Sequence, residues 1–402
     1  MKICIFTENY YKGGLDTYII NLINSWPNLN DEFYIICNKT HPGLKIIKNK
    51  CEKRINIYEY NWFFTGRWRG GNSNNIIHNY KFINLFSRLM YRLLLYPFLF
   101  PYYLYKIFKL FDKFNYDYLF VVSGGYPASI LCRISVIAWK IVYKNKNIIY
   151  NIHGNATKYF QYKFLENLLE KFVIKYTSKF ITVSNYCMHT IKDRIPFNLV
   201  NNISFIHNGI NIKYNKNFNF NIKLPNNYCL MLGTFEPRKG HEFLLISFKM
   251  VVNKLPNLKL FICGDGNDNQ IRYVKELILK YNLINNVILH SYIEDNFTLI
   301  KNADILLIPS QNFESFGLTS IEAMALETLV ITTNCGGLNE IIQNEFNGFI
   351  VSKDSPHDFA QAILKSYDLP LLKEKLVTQA KIDYNQKFTS KVMCQNYFKL
   401  IN

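Results

Sequence analysis

At 402 residues the chain is too long for one ordinary hydrophobic core, so two domains are expected. Its 49% hydrophobic and 16% aromatic content excludes a disordered chain, and nine cysteines without a CxxC pair exclude the usual zinc spacings. Lys and Arg number 47 against 29 Asp and Glu, and the resulting +18 favours an anionic partner: a nucleotide, a nucleic acid or an acidic membrane surface.

The opening "MKICIFTENY" reads directly as a strand, with no extended apolar signal region. "NYYKGGLDTYIINLI" then joins that strand to a helix through Gly13 and Gly14. Glycines permit close backbone approach and a helix N-terminus can hold an anion. An ordinary tight turn is the competing reading, and neither a full dinucleotide fingerprint nor a Walker A sequence occurs. "EFYIICN", "INIYEY", "YDYLFVVSG", "NIIYNIHG", "KFITVSN" and "ISFIHNG" continue as strands, with amphipathic segments between most of them. Cysteines inside such runs (Cys4, Cys37, Cys229, Cys263) are expected to be reduced and buried, which suits a cytoplasmic protein.

Residues 78–113, "HNYKFINLFSRLMYRLLLYPFLFPYYLYKIFKLFDK", hold six Lys or Arg against one acid. At about 100° per residue, Lys81, Arg88 and Arg92 fall within about 40° of one another on a helix. Aromatic and Leu bulk elsewhere suits an interfacial helix on anionic lipid. A core helix whose cations reach out to water competes with it. The apolar run 93–105 carries Pro97 and Pro101 and is too short to span a membrane.

His153, in "YNIHGNA", follows an apolar strand, where a structural imidazole and a ligand-contacting one are both expected. The rhythm breaks at 210–227, "INIKYNKNFNFNIKLPNN", the linker candidate. It separates an α/β domain at 1–209 from another at 228–386, with a last helix at about 387–402 expected to pack back on the first. Strand runs "YCLMLGT", "LKLFICGDG", "NVILHSY", "ADILLIPS" and "LVITTN" repeat the alternation, which points to parallel sheets covered on both faces.

In "LGTFEPRKGHEFLL", Arg238 and Lys239 lie on a strand-to-helix turn, where two cations suit a diphosphate or form a solvated loop. "ICGDG" adds Gly264 at another strand end. "FESFGLTSIEAMA", 313–325, places Glu314 before a helix and Glu322 within it. Thr319-x-x-Glu322 alone fits a capping box.

Taken in order, "KGGLDTY", "NIHG", "FIHNGI", "LGTFEPRKG", "ICGDG", "ADILLIPSQNFESFGLTSIEAMA" and "CGGLNEII" resemble a retaining glycosyltransferase of family four over nearly the whole chain. The Glu-x7-Glu element after "IPS" is the most specific part. The resemblance implies the GT-B fold, two Rossmann-like domains with parallel sheets facing a central cleft, and a nucleotide-diphosphate sugar as co-substrate. It assigns the donor sugar to Glu314 and the ribose hydroxyls to Glu322. The amides of Phe316, Gly317, Leu318 and Thr319 would reach the sugar and diphosphate. His153 and Lys239 join Glu314 as catalytic residues, and Gly13, Gly14, Arg238 and Gly264 as substrate contacts. Many family members carry Arg where this chain has Thr234, so Arg238 would supply that charge. Retention by a front-face route is implied, with the leaving diphosphate helping to deprotonate the acceptor.

No Asp-x-Asp triplet occurs, so neither a metal nor another cofactor is expected. A lipid-linked glycan acceptor would explain the basic excess, in cell-surface polysaccharide or lipopolysaccharide assembly at the inner face of the membrane. A nucleotide-sugar epimerase of the same fold and an RNA-binding protein are the alternatives. No RNP-type motif supports the latter, and nucleic acid is not an expected partner.

Overall fold

The computed structural model describes residues 1–10, 13–62, 98–157, 163–195, 202–212, 224–293 and 295–401. Most of the linker candidate lies outside these residues, as do Lys81, Arg88 and Arg92. Two compact units emerge, Met1–Ile206 and His207–Asn402.

In the first unit, β1 (Lys2–Thr7), β2 (Glu32–Asn38), β3 (Ile55–Tyr60), β4 (Tyr118–Ser123), β5 (Asn147–Ile152), β6 (Lys179–Thr182) and β7 (Ile203–Phe205) form one parallel sheet. Their spatial order is β3-β2-β1-β4-β5-β6-β7. The central strands are buried along nearly their whole length, as continuous apolar runs demand of a sheet covered on both faces. Connecting helices start where short polar side chains can take an orphan amide. Ser129 accepts from the amide of Cys132, and Ser184 from that of Cys187. The core is rich in rings: Tyr34, Tyr60, Tyr103, Tyr116 and Trp139 all lie in it.

Of the basic segment, helix Phe100–Phe111 is described. Tyr103, Ile107 and Phe111 face the core and are fully buried, while Phe98, Tyr102 and Tyr105 are exposed. Lys106 and Lys109 lie over the rings of Tyr102 and Tyr105, at 5.6 and 5.8 Å. One face is therefore core and the other a mixture of ring and cation.

The second unit repeats the plan. β8 (Tyr228–Leu232), β9 (Lys259–Gly264), β10 (Val287–Ser291), β11 (Ile305–Ile308), β12 (Leu329–Thr333) and β13 (Phe349–Val351) are parallel in the order β10-β9-β8-β11-β12-β13. Its main cluster is aliphatic with a few phenylalanines, and the fully buried Tyr228 and Tyr397 lie outside it. Helix Ser390–Ile401 falls in this unit, where Met393 Sδ accepts from the amide of Gly209 at 3.2 Å.

Both sheets run third, second, first, fourth, fifth, sixth. Chain direction across the sheet reverses between β1 and β4, and again between β8 and β11. Beyond the carboxyl ends of the strands at such a switch point, open α/β sheets bind their ligands. All nine cysteines are free, and all but Cys51 are buried. Among the described residues no helix is long and apolar enough to cross a membrane.

Candidate functional site

At the switch point of the second sheet, the chain leaving β8 turns through Gly233 and a short 3-10 turn, Pro237–Lys239. The chain leaving β11 runs through Ser310 to Gly317, where helix Leu318–Leu326 begins. Backbone bonds lace the loops together. Gln311 N–H donates to Arg238 O, Phe235 N–H to Asp265 O and Gly337 N–H to Glu314 O, each at 2.8 Å. Gly264 closes this packing, because a Cβ there would stand 1.7 Å from Gly233 O. Four strand-end loops thus form one rigid rim.

On that rim Lys239 Nζ donates to Glu314 Oε2 at 2.6 Å, and Ser310 Oγ donates to the same oxygen at 3.2 Å. The two charged side chains come from loops 75 residues apart in sequence and are largely buried. Burial opposes the charge on Glu314. Lys239, Arg238 and Ser310 outweigh it and hold the carboxyl below its ordinary value. Arg238 lies next to them, donating from Nε to Glu236 Oε2 at 2.5 Å with its guanidinium 5.0 Å from the Phe313 ring centre. Thr234 is exposed.

Gly317 stands at the N-cap of helix Leu318–Leu326 with φ 102°, the left-handed region, and no side chain caps the helix. A Cβ at that position would also push on the Leu338 Cδ2 methyl, 2.5 Å away, but it is the left-handed φ that demands glycine. This corrects the capping-box reading: Thr319 lies inside the helix, two residues past the cap. The N-terminal amides, with their partial positive charge, thus have no side-chain cap.

Glu322, one turn further on, is 7% exposed. Asn296 Nδ2 donates to its Oε2 at 2.9 Å. Burial pushes its carboxyl up to about 7, with Asn296 acting in the opposite sense. A helical side chain leans toward its own N-terminus, so this carboxyl lies on the side of the uncapped amides. His207 Nε2 lies 2.9 Å from Glu340 Oε2, and its ring packs against Phe316 at 5.5 Å. Sequence reasoning missed Ser310, Asn296, Glu236 and the His207–Glu340 pair as partners. "IPS" and "HNG" were visible, but nothing local indicated what they touch.

The first sheet has a quieter switch point. Helix Gly14–Asn24 begins after Gly13, where a Cβ would meet nothing within 4 Å. Inside its first turn the buried Asp16 pairs with the buried His41 at 2.7 Å, an anchor that the sequence reading did not anticipate. His153 follows β5, and its amide donates to Ser123 O at 2.8 Å. Its ring centre is 4.1 Å from that of Tyr18, and Nε2 has no hydrogen-bond partner among the described residues. Burial pushes the imidazole down to about 3, so it is neutral near pH 7. Among the described residues no three His, Cys, Asp or Glu side chains gather as a metal-holding group.

The family model described as Glycosyltransferase Family 4 matches residues 12–214, and the one described as Glycosyl transferases group 1 matches 213–383. The chain is 29% identical to the capsular polysaccharide biosynthesis glycosyltransferase CapM of Staphylococcus aureus over 316 residues, 74% of this chain and 80% of that one. It is 25% identical over 286 residues to the UDP-Gal:alpha-D-GlcNAc-diphosphoundecaprenol alpha-1,3-galactosyltransferase of Escherichia coli, 65% of this chain and 69% of that one. An uncharacterised glycosyltransferase of Methanocaldococcus jannaschii is 27% identical over 244 residues, 60% of this chain and 64% of its own length. Among solved structures, Anabaena HepE in complex with UDP-glucose superposes with a TM-score of 0.72 at 15% identity, covering 100% of this chain and 99% of that one. At that identity the likeness is one of fold.

Proposed function

Because the chain belongs to glycosyltransferase family 4 and has the GT-B fold, we propose that it moves a sugar from a nucleotide-diphosphate sugar to a glycan acceptor with retention of configuration. The observation that carries this reading is the Lys239–Glu314 contact on the rim of β8 and β11, next to an uncapped helix N-terminus. A cation and uncapped amides suit a diphosphate, and a carboxylate held ionised suits sugar hydroxyls.

The donor would replace one internal contact with two external ones. Lys239 turns from Glu314 to the β-phosphate, and the freed carboxylate accepts from the sugar. Glu322 accepts from the ribose hydroxyls, with Asn296 orienting it. As the glycosidic bond to the phosphate breaks, negative charge gathers on the leaving oxygen. Lys239, Arg238 and the amides of Phe316 to Thr319 stabilise it, already in position and without reorganising solvent. That oxygen takes the acceptor's proton on the same face, so no enzyme carboxylate is needed as nucleophile. At the first unit's own switch point the neutral His153 suits a sugar hydroxyl and the Gly14 amide a phosphate oxygen. This chemistry uses protein cations in place of a divalent metal.

For the acceptor we propose a lipid-linked glycan at the inner face of the membrane, in cell-surface polysaccharide assembly. Two relatives' names, one of capsular polysaccharide biosynthesis and one with a diphosphoundecaprenol acceptor, support that class. So does the exposed Tyr and Lys face of helix Phe100–Phe111. The test is a transfer assay in EDTA, with the anomeric configuration of the product read by NMR. Retained configuration with undiminished turnover is expected. An inverted product, or activity that returns only with added magnesium or manganese, would refute the mechanism.

A further inference from the structure

The first unit carries a second feature at the opposite edge of its sheet, where β5, β6 and β7 begin. There the ends of helices Ile130–Val142 and Lys163–Tyr176 border a cavity of about 530 Å³. Lys140, Lys144 and Lys175 line it together with Thr177, Ile137 and Ile141, and among the described residues no Asp or Glu lines it.

Lysines at helix ends have an ordinary use, which is to offset the negative end of the macrodipole. Lys140 does this, donating to the carbonyls of Lys144 at 3.3 Å and Lys146 at 2.8 Å. Two helix ends bring roughly one negative charge between them. Three ammonium groups therefore leave a surplus of roughly two. Lys144 has no ion-pair partner among the described residues, and the recorded contact of Lys175 is with the ring of Tyr176 at 5.7 Å. Thr177 borders the same cavity and is 7% exposed; its Oγ1, without a hydrogen-bond partner among the described residues, is closed off beneath the cavity surface and offers a ligand no donor.

We infer that this cavity binds a phosphate ester, with Lys144 and Lys175 on the phosphate oxygens and the ester's organic part against Ile137 and Ile141. Lys is a point-charge binder of phosphate, and a cavity lacking any carboxylate imposes no repulsion on the anion. The volume is that of well over ten water molecules at roughly 30 Å³ each, more than a bare phosphate fills. Ile141, 51% exposed, supplies apolar surface for the remainder. The site is separate from the rim of the second sheet and does not depend on the reaction proposed there. A soluble phosphate ester and a lipid headgroup share this chemistry.

The test uses the full chain with isotope-labelled Ile and Thr methyl groups. Glycerol 3-phosphate should shift the Ile137, Ile141 and Thr177 methyl signals along a saturating curve. Lys144→Gln with Lys175→Gln should weaken that binding roughly tenfold, since two charge-assisted contacts are lost. Thr177→Val, which removes a hydroxyl closed to the cavity, and Lys239→Gln should both leave it unchanged. Vesicles of phosphatidylcholine, with and without phosphatidylglycerol, separate the sources. If the double variant loses sedimentation with the anionic vesicles, the ligand is a headgroup. If only the glycerol 3-phosphate curve changes, it is a soluble ester. Methyl shifts that never saturate with either probe, or a double variant that matches the wild type with both, would reduce the three lysines to helix-end caps.

Discussion

The two sheets share one strand order and differ in what stands at their switch points. On the second, an ion pair joins loops 75 residues apart, with a second cation and an uncapped helix alongside. On the first, the titratable group is a neutral imidazole beside a glycine turn. Topology therefore marks where each sheet can take a ligand, and charge marks which of the two switch points suits an anion. The cores differ in the same direction. The first packs buried tyrosines, of which Tyr60 and Tyr116 have hydroxyls without partners among the described residues, whereas in the second the buried Tyr228 donates to Leu299 O at 2.6 Å and the main cluster is aliphatic. Local polar cost is thus carried in the first core and charge in the second rim.

Removing the cation should break this comparison most severely. In the mechanism proposed, Lys239→Ala takes away a preorganised stabiliser of the leaving phosphate, and losing one such group costs on the order of 100- to 1,000-fold in kcat. Steady-state kinetics would check it. A variant within about threefold of wild type would move the chemistry elsewhere.

Next in size are two pH effects of opposite sign. Glu322 folds with its carboxyl raised to about 7, so between about 4.5 and 7 the native state holds more protons than the unfolded one. Stability is then full below about 4.5 and lost as pH rises to 7. Glu322→Gln should be stabilised relative to wild type at about pH 8 and not at about pH 4, by on the order of 2–3 kcal/mol. The same change should weaken nucleotide binding, by about 1–3 kcal/mol. His153, pushed down to about 3, acts in reverse: its contribution is full above the ordinary histidine value and is lost as pH falls. His153→Gln should flatten the acid limb of the stability curve. Denaturant midpoints across pH would read both, and equal slopes in wild type and variants would remove the distinction between the two rims.

The fold was largely legible in the sequence because buried parallel strands are written as continuous apolar runs. "EFYIICN" is β2 and "INIYEY" is β3, residue for residue. β13 went unread: its three residues carry no periodicity, and β7, equally short, was read only as part of the longer run "ISFIHNG". In the site, Glu314 and Lys239 could be named from their motifs, but their contact spans 75 residues and only the topology creates it. Asn296 was invisible for the same reason: nothing around it marks it as the partner of a carboxyl 26 positions away. The capping box failed because a left-handed glycine displaced the helix start by two residues, a matter of backbone angle.

A smaller effect would sharpen the contrast between the cores. Tyr116→Phe removes a buried hydroxyl that has no partner while keeping the ring against Trp139, 6.2 Å away. It should stabilise the chain by about 1 kcal/mol. A urea midpoint that falls instead would show that the hydroxyl is satisfied.

The account rests on a nucleotide-diphosphate sugar binding at the rim of β8 and β11. A thermal-shift screen of the full chain against UDP-, GDP-, ADP- and dTDP-sugars, run with wild type, Lys239→Gln and Glu322→Gln, tests that most directly. One donor class should raise the wild-type Tm by mass action, roughly 2.7 kcal/mol of stabilisation at a hundredfold excess over Kd. Both variants should lose most of that rise while remaining folded. No shift with any nucleotide sugar, or equal shifts in all three proteins, would contradict it.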